Sequence, residues 1–129
     1  KLGAVHGFAG PIGGMFIAPH GTICASLLSA VIEINVRALR EREPQNQKFM
    51  RFKEIAKIIT QETDARISDG IEWIKKIKEK LHIPKLSELN IHKQDFPEII
   101  SKSKRSSSMK GNPITLTDNE LWEILEMSF

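Results

Sequence analysis

The stretch Lys1–Cys24, KLGAVHGFAGPIGGMFIAPHGTIC, holds two of the four histidines, His6 and His20, and six of the eight glycines, with Pro11 and Pro19 among them. Glycine weakens a helix and proline interrupts one, so a segment this rich in both places backbone tightly around something besides building a core. Leu2, Ala4, Val5 and Phe8 are spaced as in a helix packed on several sides, with His6 among them. Pro11 and the Gly13-Gly14 pair are expected to end that helix. Met15 to Pro19 then reads as a short connection, with Pro19 biasing Ala18 toward extended backbone.

Outward from this stretch the apolar positions recur at three and four. A long helix is expected from about Gly21, through Ile23, Leu27, Ala30, Val31, Ile34 and Ala38, to a polar end RALRERE that stops at Pro44. Arg37 and Arg40 near that end suit the helix dipole. A second helix is expected over Gln45 to Thr60, with Phe49, Phe52, Ala56 and Ile59 on one face. Thr63 or Asp64 would cap a third, striped by Ile67, Ile71, Ile74, Ile77 and Leu81 and ended by Pro84.

Lys85 to Phe96 predicts a helical turn and a loop, with Asn90 as the turn residue. Pro97 at a first-turn position opens a helix to about Lys104. The serine- and lysine-rich run to Asn112 is polar and loop-like. Thr117 with Glu120 forms a capping box, and Leu116 can staple to Leu121, for a last helix whose buried face is Leu121, Ile124 and Leu125. No two adjacent runs alternate with period two, and nothing repeats internally, so the fold class is all-α, a helical bundle in a single domain over residues 1–129.

Composition narrows the function. The chain has 129 residues, 40% hydrophobic and 27% charged, enough to bury a core without staples. Its one cysteine, Cys24, cannot form an internal bridge, which favours a reducing compartment, and a cytoplasmic setting is the expectation. No run is expected to span a membrane, because Ser29, Glu33, Asn35 and Arg37 break the longest apolar windows. The net charge of +3 is mild, and the lysines from 75 to 110 alternate with isoleucine or serine instead of gathering beside aromatic contact residues. That favours a solvated helix face and a polar loop over a nucleic-acid surface, and a nucleic-acid binder using these lysines is the third reading. No initiator Met is present and the first residues already lie in an apolar pattern, so the chain reads as part of a longer one.

His6 and His20 stand fourteen positions apart, enough chain to fold back and bring both imidazoles to one point. Neutral imidazole is a common ligand for zinc and ferrous iron, but a catalytic ion needs about three protein ligands, and two histidines are too few. Cys24, four residues past His20, could share its helix face, though a small cysteine in a helical stripe reads first as packing. His6 can equally be a satisfied core histidine and His20 a helix N-cap. His82 and His92 have no partner spacing and read as surface or capping residues.

The run GAVHGFAGPIGGMFIAPHG, Gly3 to Gly21, strongly resembles the second signature of the iron-containing (group III) alcohol dehydrogenases, in the wider dehydroquinate synthase-like group. NVRALRER (35–42), IPKLSELNI (83–91) and GNPITLTDNELWEIL (111–125) also look like that family's C-terminal pattern.

The resemblance implies a helical C-terminal domain whose partner, an N-terminal nucleotide-binding domain outside this chain, holds NAD or NADP. It implies one metal ion, Fe(2+) or Zn(2+), on an aspartate and three histidines, two of which match His6 and His20. The aspartate and the third histidine would lie upstream of Lys1. The implied activity interconverts an alcohol with an aldehyde or ketone by metal-assisted hydride transfer to or from the nicotinamide, acting on a small alcohol or aldehyde.

Many family members carry a further histidine four residues after the first ligand, where this chain has Gly10, so its substrate pocket or proton path must differ. With half a metal site and no GxGxxG loop, the chain alone is expected neither to hold metal tightly nor to turn over. Apolar surface meant for absent neighbours should make it self-associate, as a homo-oligomer. The competing reading is a non-catalytic helical interaction domain in which His6 and His20 only pack or cap.

Overall fold

The computed structural model describes residues 2–129; among these the chain forms six α-helices and no strand. They are α1 (Ala4–Met15), α2 (His20–Arg42), α3 (Lys48–Thr60), α4 (Ile67–Lys80), α5 (Phe96–Arg105) and α6 (Asp118–Met127). Turns of 3₁₀ helix at Leu86–Leu89, Lys93–Asp95 and Met109–Gly111 join the later helices.

The hub is α2, which packs on α1, α4 and α6, while α1 also packs on α5 and the Met109–Gly111 turn. Phe8, Ile12, Ile23, Leu27, Ile34 and Leu39 from α1 and α2 meet Leu86, Ile91, Phe96, Ile99, Leu121 and Ile124 in one continuous core. The spacings that predict the long helix therefore mark its buried face. Phe96 sits edge-on to Trp122 and Phe129, with centroids 5.0 and 5.8 Å away, and Ser87 Oγ donates to the Phe129 carbonyl at 2.8 Å, fastening the chain end.

Proline does not end α1. The helix runs through Pro11, Gly13 and Gly14 to Met15, where Phe16 N–H closes on the Ile12 carbonyl at 2.8 Å. A proline inside a helix costs about 3 kcal/mol, and burying one isoleucine returns about 1.5–3 kcal/mol. Phe8, Ala9 and Ile12 are all at most 1% exposed, so the burial of this face across the proline outweighs the local penalty.

Two helix starts also shift. Lys48 N–H bonds Asn46 Oδ1 at 2.9 Å and delays α3 past Gln45. At α4 the cap is neither Thr63 nor Asp64: Arg66 occupies the N-cap, and the Asp69 carboxylate takes its N–H at 2.8 Å. Burial of Ala65 just before it fixes that later start. The expected Thr117–Glu120 capping box is present at α6, and Asn90 takes the left-handed turn conformation at φ 60°.

Length and composition alone would let α2 cross a membrane, contrary to the expectation that its polar residues interrupt it. Most of its apolar window is buried inside the bundle, however, and two polar contacts tie it to its neighbours. Ser26 Oγ donates to the Thr22 and Pro84 carbonyls at 2.8 and 2.7 Å. A half-buried Lys78 ammonium donates to the Ser26 carbonyl at 2.7 Å.

The α3–α4 hairpin is thinner. Of the face expected on α3 only Ala56 is fully buried, pressed against Gly70, whose added Cβ would lie 2.8 Å from the alanine methyl. Phe49 and Phe52 reach the core only in part, and Met50, Ile58 and Leu81 remain largely exposed.

Candidate metal centre

The fold brings the two histidines of the opening stretch together. His6 projects from the first turn of α1 and His20 is the first residue of α2; their ring centroids are 5.3 Å apart, inclined at 50°. Between them Phe16 is extended, Ala18 N–H closes a tight turn on the Phe16 carbonyl at 3.1 Å, and Pro19, at φ −62° and ψ 135°, serves as the N-cap. His20 is therefore not the cap, and its side chain is free to face His6.

A third donor joins them. Cys24, one turn along α2, has its Sγ 3.5 Å from His20 Nε2, and the ligating atoms of His6, His20 and Cys24 all lie within 4.8 Å of one another. Burial pushes the Cys24 thiol above its ordinary pKa, so the free thiol is protonated at neutral pH and can donate to the His20 ring. His82 and His92 are exposed and stand outside this cluster: His82 follows α4 at φ 50°, and the His92 backbone N–H donates to Asp95 Oδ2 at 2.8 Å.

The donor set suits a borderline cation. In a tetrahedral zinc site with bonds of about 2.0–2.3 Å, ligand atoms stand about 3.3–3.8 Å apart, so the present spacing closes by about an ångström of side-chain rotation. His6 is half-buried and His20 exposed, which leaves room for an incoming ligand.

The glycines divide into two kinds. Along α1 the sequence His6, Gly10, Gly13, Gly14 follows one face, and a Cβ added at Gly10, Gly14 or Gly21 meets nothing within 4 Å. This face is bare backbone beside the histidines. Gly3 and Gly7 serve packing instead: a Cβ on Gly7 would come within 2.9 Å of Met109 Cε and 3.1 Å of its Cα, and one on Gly3 within 3.1 Å of Asn112 Oδ1. None of the glycines has positive φ, so space, not backbone strain, selects them.

Two asparagines hold the His6 helix in place, and composition or spacing gave no sign of them. Asn112 Oδ1 accepts from Ala4 N–H, the first of α1, at 3.0 Å, and from Asn35 Nδ2 of α2 at 3.2 Å. Asn112 Nδ2 donates to Asn35 Oδ1 at 2.7 Å and to the Ile114 carbonyl at 2.8 Å. A cap supplied from 108 residues away satisfies an orphan N–H and fixes α1 against α2. The signal available in sequence was the asparagine in each of two family-like segments, NVRALRER and GNPIT.

The arginines of the first of those segments also act at a distance. Arg37 pairs with Glu123, and Arg42 with Glu120 and, at 2.9 Å, the Thr115 carbonyl, tying α2 to α6. Burial alone would raise the Glu120 pKa, but Arg42 and the Thr117 amide bring it below its ordinary value. Lys75, Lys102 and Lys104 lie beside Glu33, Glu98 and Asp118 at 2.9, 2.8 and 2.7 Å, so these lysines form no unbalanced basic face.

The chain belongs to the Fe-containing alcohol dehydrogenase family, whose C-terminal part matches residues 1–129. It is 28% identical to the 1,3-propanediol dehydrogenase of Citrobacter freundii, aligning over 100% of this chain and 33% of that protein. With an alcohol dehydrogenase of Thermococcus barophilus it shares 30% identity over 88% of this chain and 28% of the relative. The solved alcohol dehydrogenase from Oenococcus oeni superposes with a TM-score of 0.84 at 27% identity, covering 100% of this chain and 33% of that one. The helical bundle is thus the C-terminal fold of the family, and the chain spans about a third of the length of these relatives.

Proposed function

We propose that this chain is the metal-binding helical part of a metal-dependent, NAD(P)-linked alcohol dehydrogenase, with His6 and His20 as two ligands of the ion. The observation that carries this reading is the convergence of two histidines fourteen positions apart onto one open, glycine-paved face. Packing or capping roles alone leave that convergence unexplained.

An Fe(2+) or Zn(2+) ion bound there would supply Lewis acidity toward the oxygen of an alcohol or carbonyl compound, while NAD or NADP, held mainly by a separate nucleotide-binding domain, exchanges the hydride. The chain's own residues orient and admit. His6 is set by the Asn112 cap on α1, His20 by the start of α2, and the bare face at Gly10 and Gly14 lets substrate or cofactor approach backbone closely. Gly10 offers no side chain to relay a proton, so proton transfer passes through water or a group from outside residues 1–129. Relatives are named 1,3-propanediol dehydrogenase, alcohol dehydrogenase and lactaldehyde reductase, which supports a small alcohol or aldehyde as substrate.

Residues 1–129 alone are not expected to turn over, because they contain no glycine-rich dinucleotide loop. Ile17, Met50 and Ile58 expose apolar side chains, which supports self-association into a homo-oligomer, and one free cysteine supports a cytoplasmic setting. The test is the protein containing this chain, assayed for bound metal and for NAD(P)-dependent alcohol oxidation. His6→Ala and His20→Ala should each strip the metal and lower kcat/KM at least about a hundredfold. Metal content unchanged in both variants would overturn the assignment.

A further inference from the structure

We propose that Cys24 is a third ligand, so that His6, His20 and Cys24 alone bind a thiophilic divalent ion and bias the centre toward zinc over ferrous iron. The proposal rests on the reading of His6 and His20 given above and replaces the expectation that residues 1–129 hold no metal tightly, because Cys24 adds a third donor beyond the aspartate-and-histidine ligand set that the family resemblance implies.

Three observations carry it. The Cys24 sulfur is 3.5 Å from His20 Nε2, on the same helix face one turn along, and its side chain is only half-buried. The three ligating atoms fall within 4.8 Å of one another, in a chain whose other histidines, His82 and His92, lie elsewhere. The face beyond the donors is bare at Gly10 and Gly21, leaving a fourth position for water or for a donor from outside residues 1–129. A cysteine that served packing alone need not present its sulfur to an imidazole.

Ligand type then sets the preference. A thiolate with two imidazoles favours zinc and cobalt over the oxygen-seeking ions, and at a nitrogen and sulfur site zinc binds more tightly than ferrous iron. Binding replaces the thiol proton with the metal–sulfur bond, and the proton goes to solvent.

The experiment is a Co²⁺ titration of residues 1–129 under a non-chelating phosphine reductant, followed by the near-ultraviolet sulfur-to-cobalt charge-transfer absorption and by equilibrium dialysis. One Co²⁺ per chain with that absorption, displaced by Zn²⁺ more readily than by Fe²⁺, is expected. Cys24→Ser should abolish the absorption and weaken binding at least about tenfold, with helical circular dichroism unchanged. Alkylation of Cys24 in the unmodified chain, slowed by Zn²⁺ and restored by a chelator, reads the same contact without a substitution.

Cobalt bound without the charge-transfer absorption, or with equal affinity in Cys24→Ser, would overturn the role of Cys24 and leave the histidine pair standing. No binding by residues 1–129 would overturn the three-ligand site alone. Absorption and affinity unchanged in both His6→Ala and His20→Ala would remove the histidine pair as well.

Discussion

The two faces of α1 have similar ingredients and opposite uses. On the inner face Ala4, Phe8 and Ile12 are at most 1% exposed, and Gly7 is a glycine because Met109 occupies the space of any Cβ. On the outer face His6 is followed by Gly10, Gly13 and Gly14, and the space beside Gly10 and Gly14 is empty. One glycine is required by what is already packed there; the others leave room for what must approach. Glycine content alone therefore locates neither a core nor a site, and only the contacts of each position distinguish them.

That contrast can be broken at its strongest point first. Phe8→Ala should cost about 3–5 kcal/mol in urea unfolding, and a loss below about 1 kcal/mol would show that the inner face is not tightly packed. Asn112→Ala, which removes the cap of α1 and strands Asn35, should cost about 1–3 kcal/mol by the same measurement. It should also weaken cobalt binding, because His6 rides on that helix; full affinity in a destabilised variant would separate the cap from the site. Gly7→Val should cost about 1–3 kcal/mol by overpacking against Met109 backbone.

Acid tests the ties on the buried side. Glu120 has a folded pKa below its unfolded value, so its contribution is complete above the ordinary carboxylate range, about pH 4.3, and is lost as pH falls through the folded value. Thermal melts should show stability falling with acid below that range, and Glu120→Gln should flatten the fall. The smallest effect belongs to the outer face: Gly10→Ala should raise stability by about 0.5–1 kcal/mol, since alanine favours the helix and meets nothing. A destabilised Gly10→Ala would mean that the two faces are not different after all.

Much of this was readable from the chain. Apolar residues at three and four mark the buried side of α2, Pro97 opens α5, Asn90 turns, and Thr117 with Glu120 caps α6, because each depends on chemistry within a few residues. The histidine pair was legible as a candidate from its glycine-rich setting. Less visible were the continuation of α1 through Pro11, the later start of α4 at Ile67, and the partial burial of the α3 face. Each of these turns on which neighbour lies against the element, and spacing along the chain carries no such information.

The sequence by itself determined the helical class, most helix ends and the two imidazoles that define the candidate centre, since propensity, capping and periodicity act locally. Tertiary structure decided the rest. It carried α1 past its proline, because burial of Phe8, Ala9 and Ile12 exceeds the local cost. It joined Asn112 to Ala4 and Asn35 across the chain, and it turned the Cys24 sulfur to His20 instead of wholly into the core. Those pairings are free-energy differences between distant groups, and they exist only once α1, α2 and the Met109–Gly111 turn have packed together.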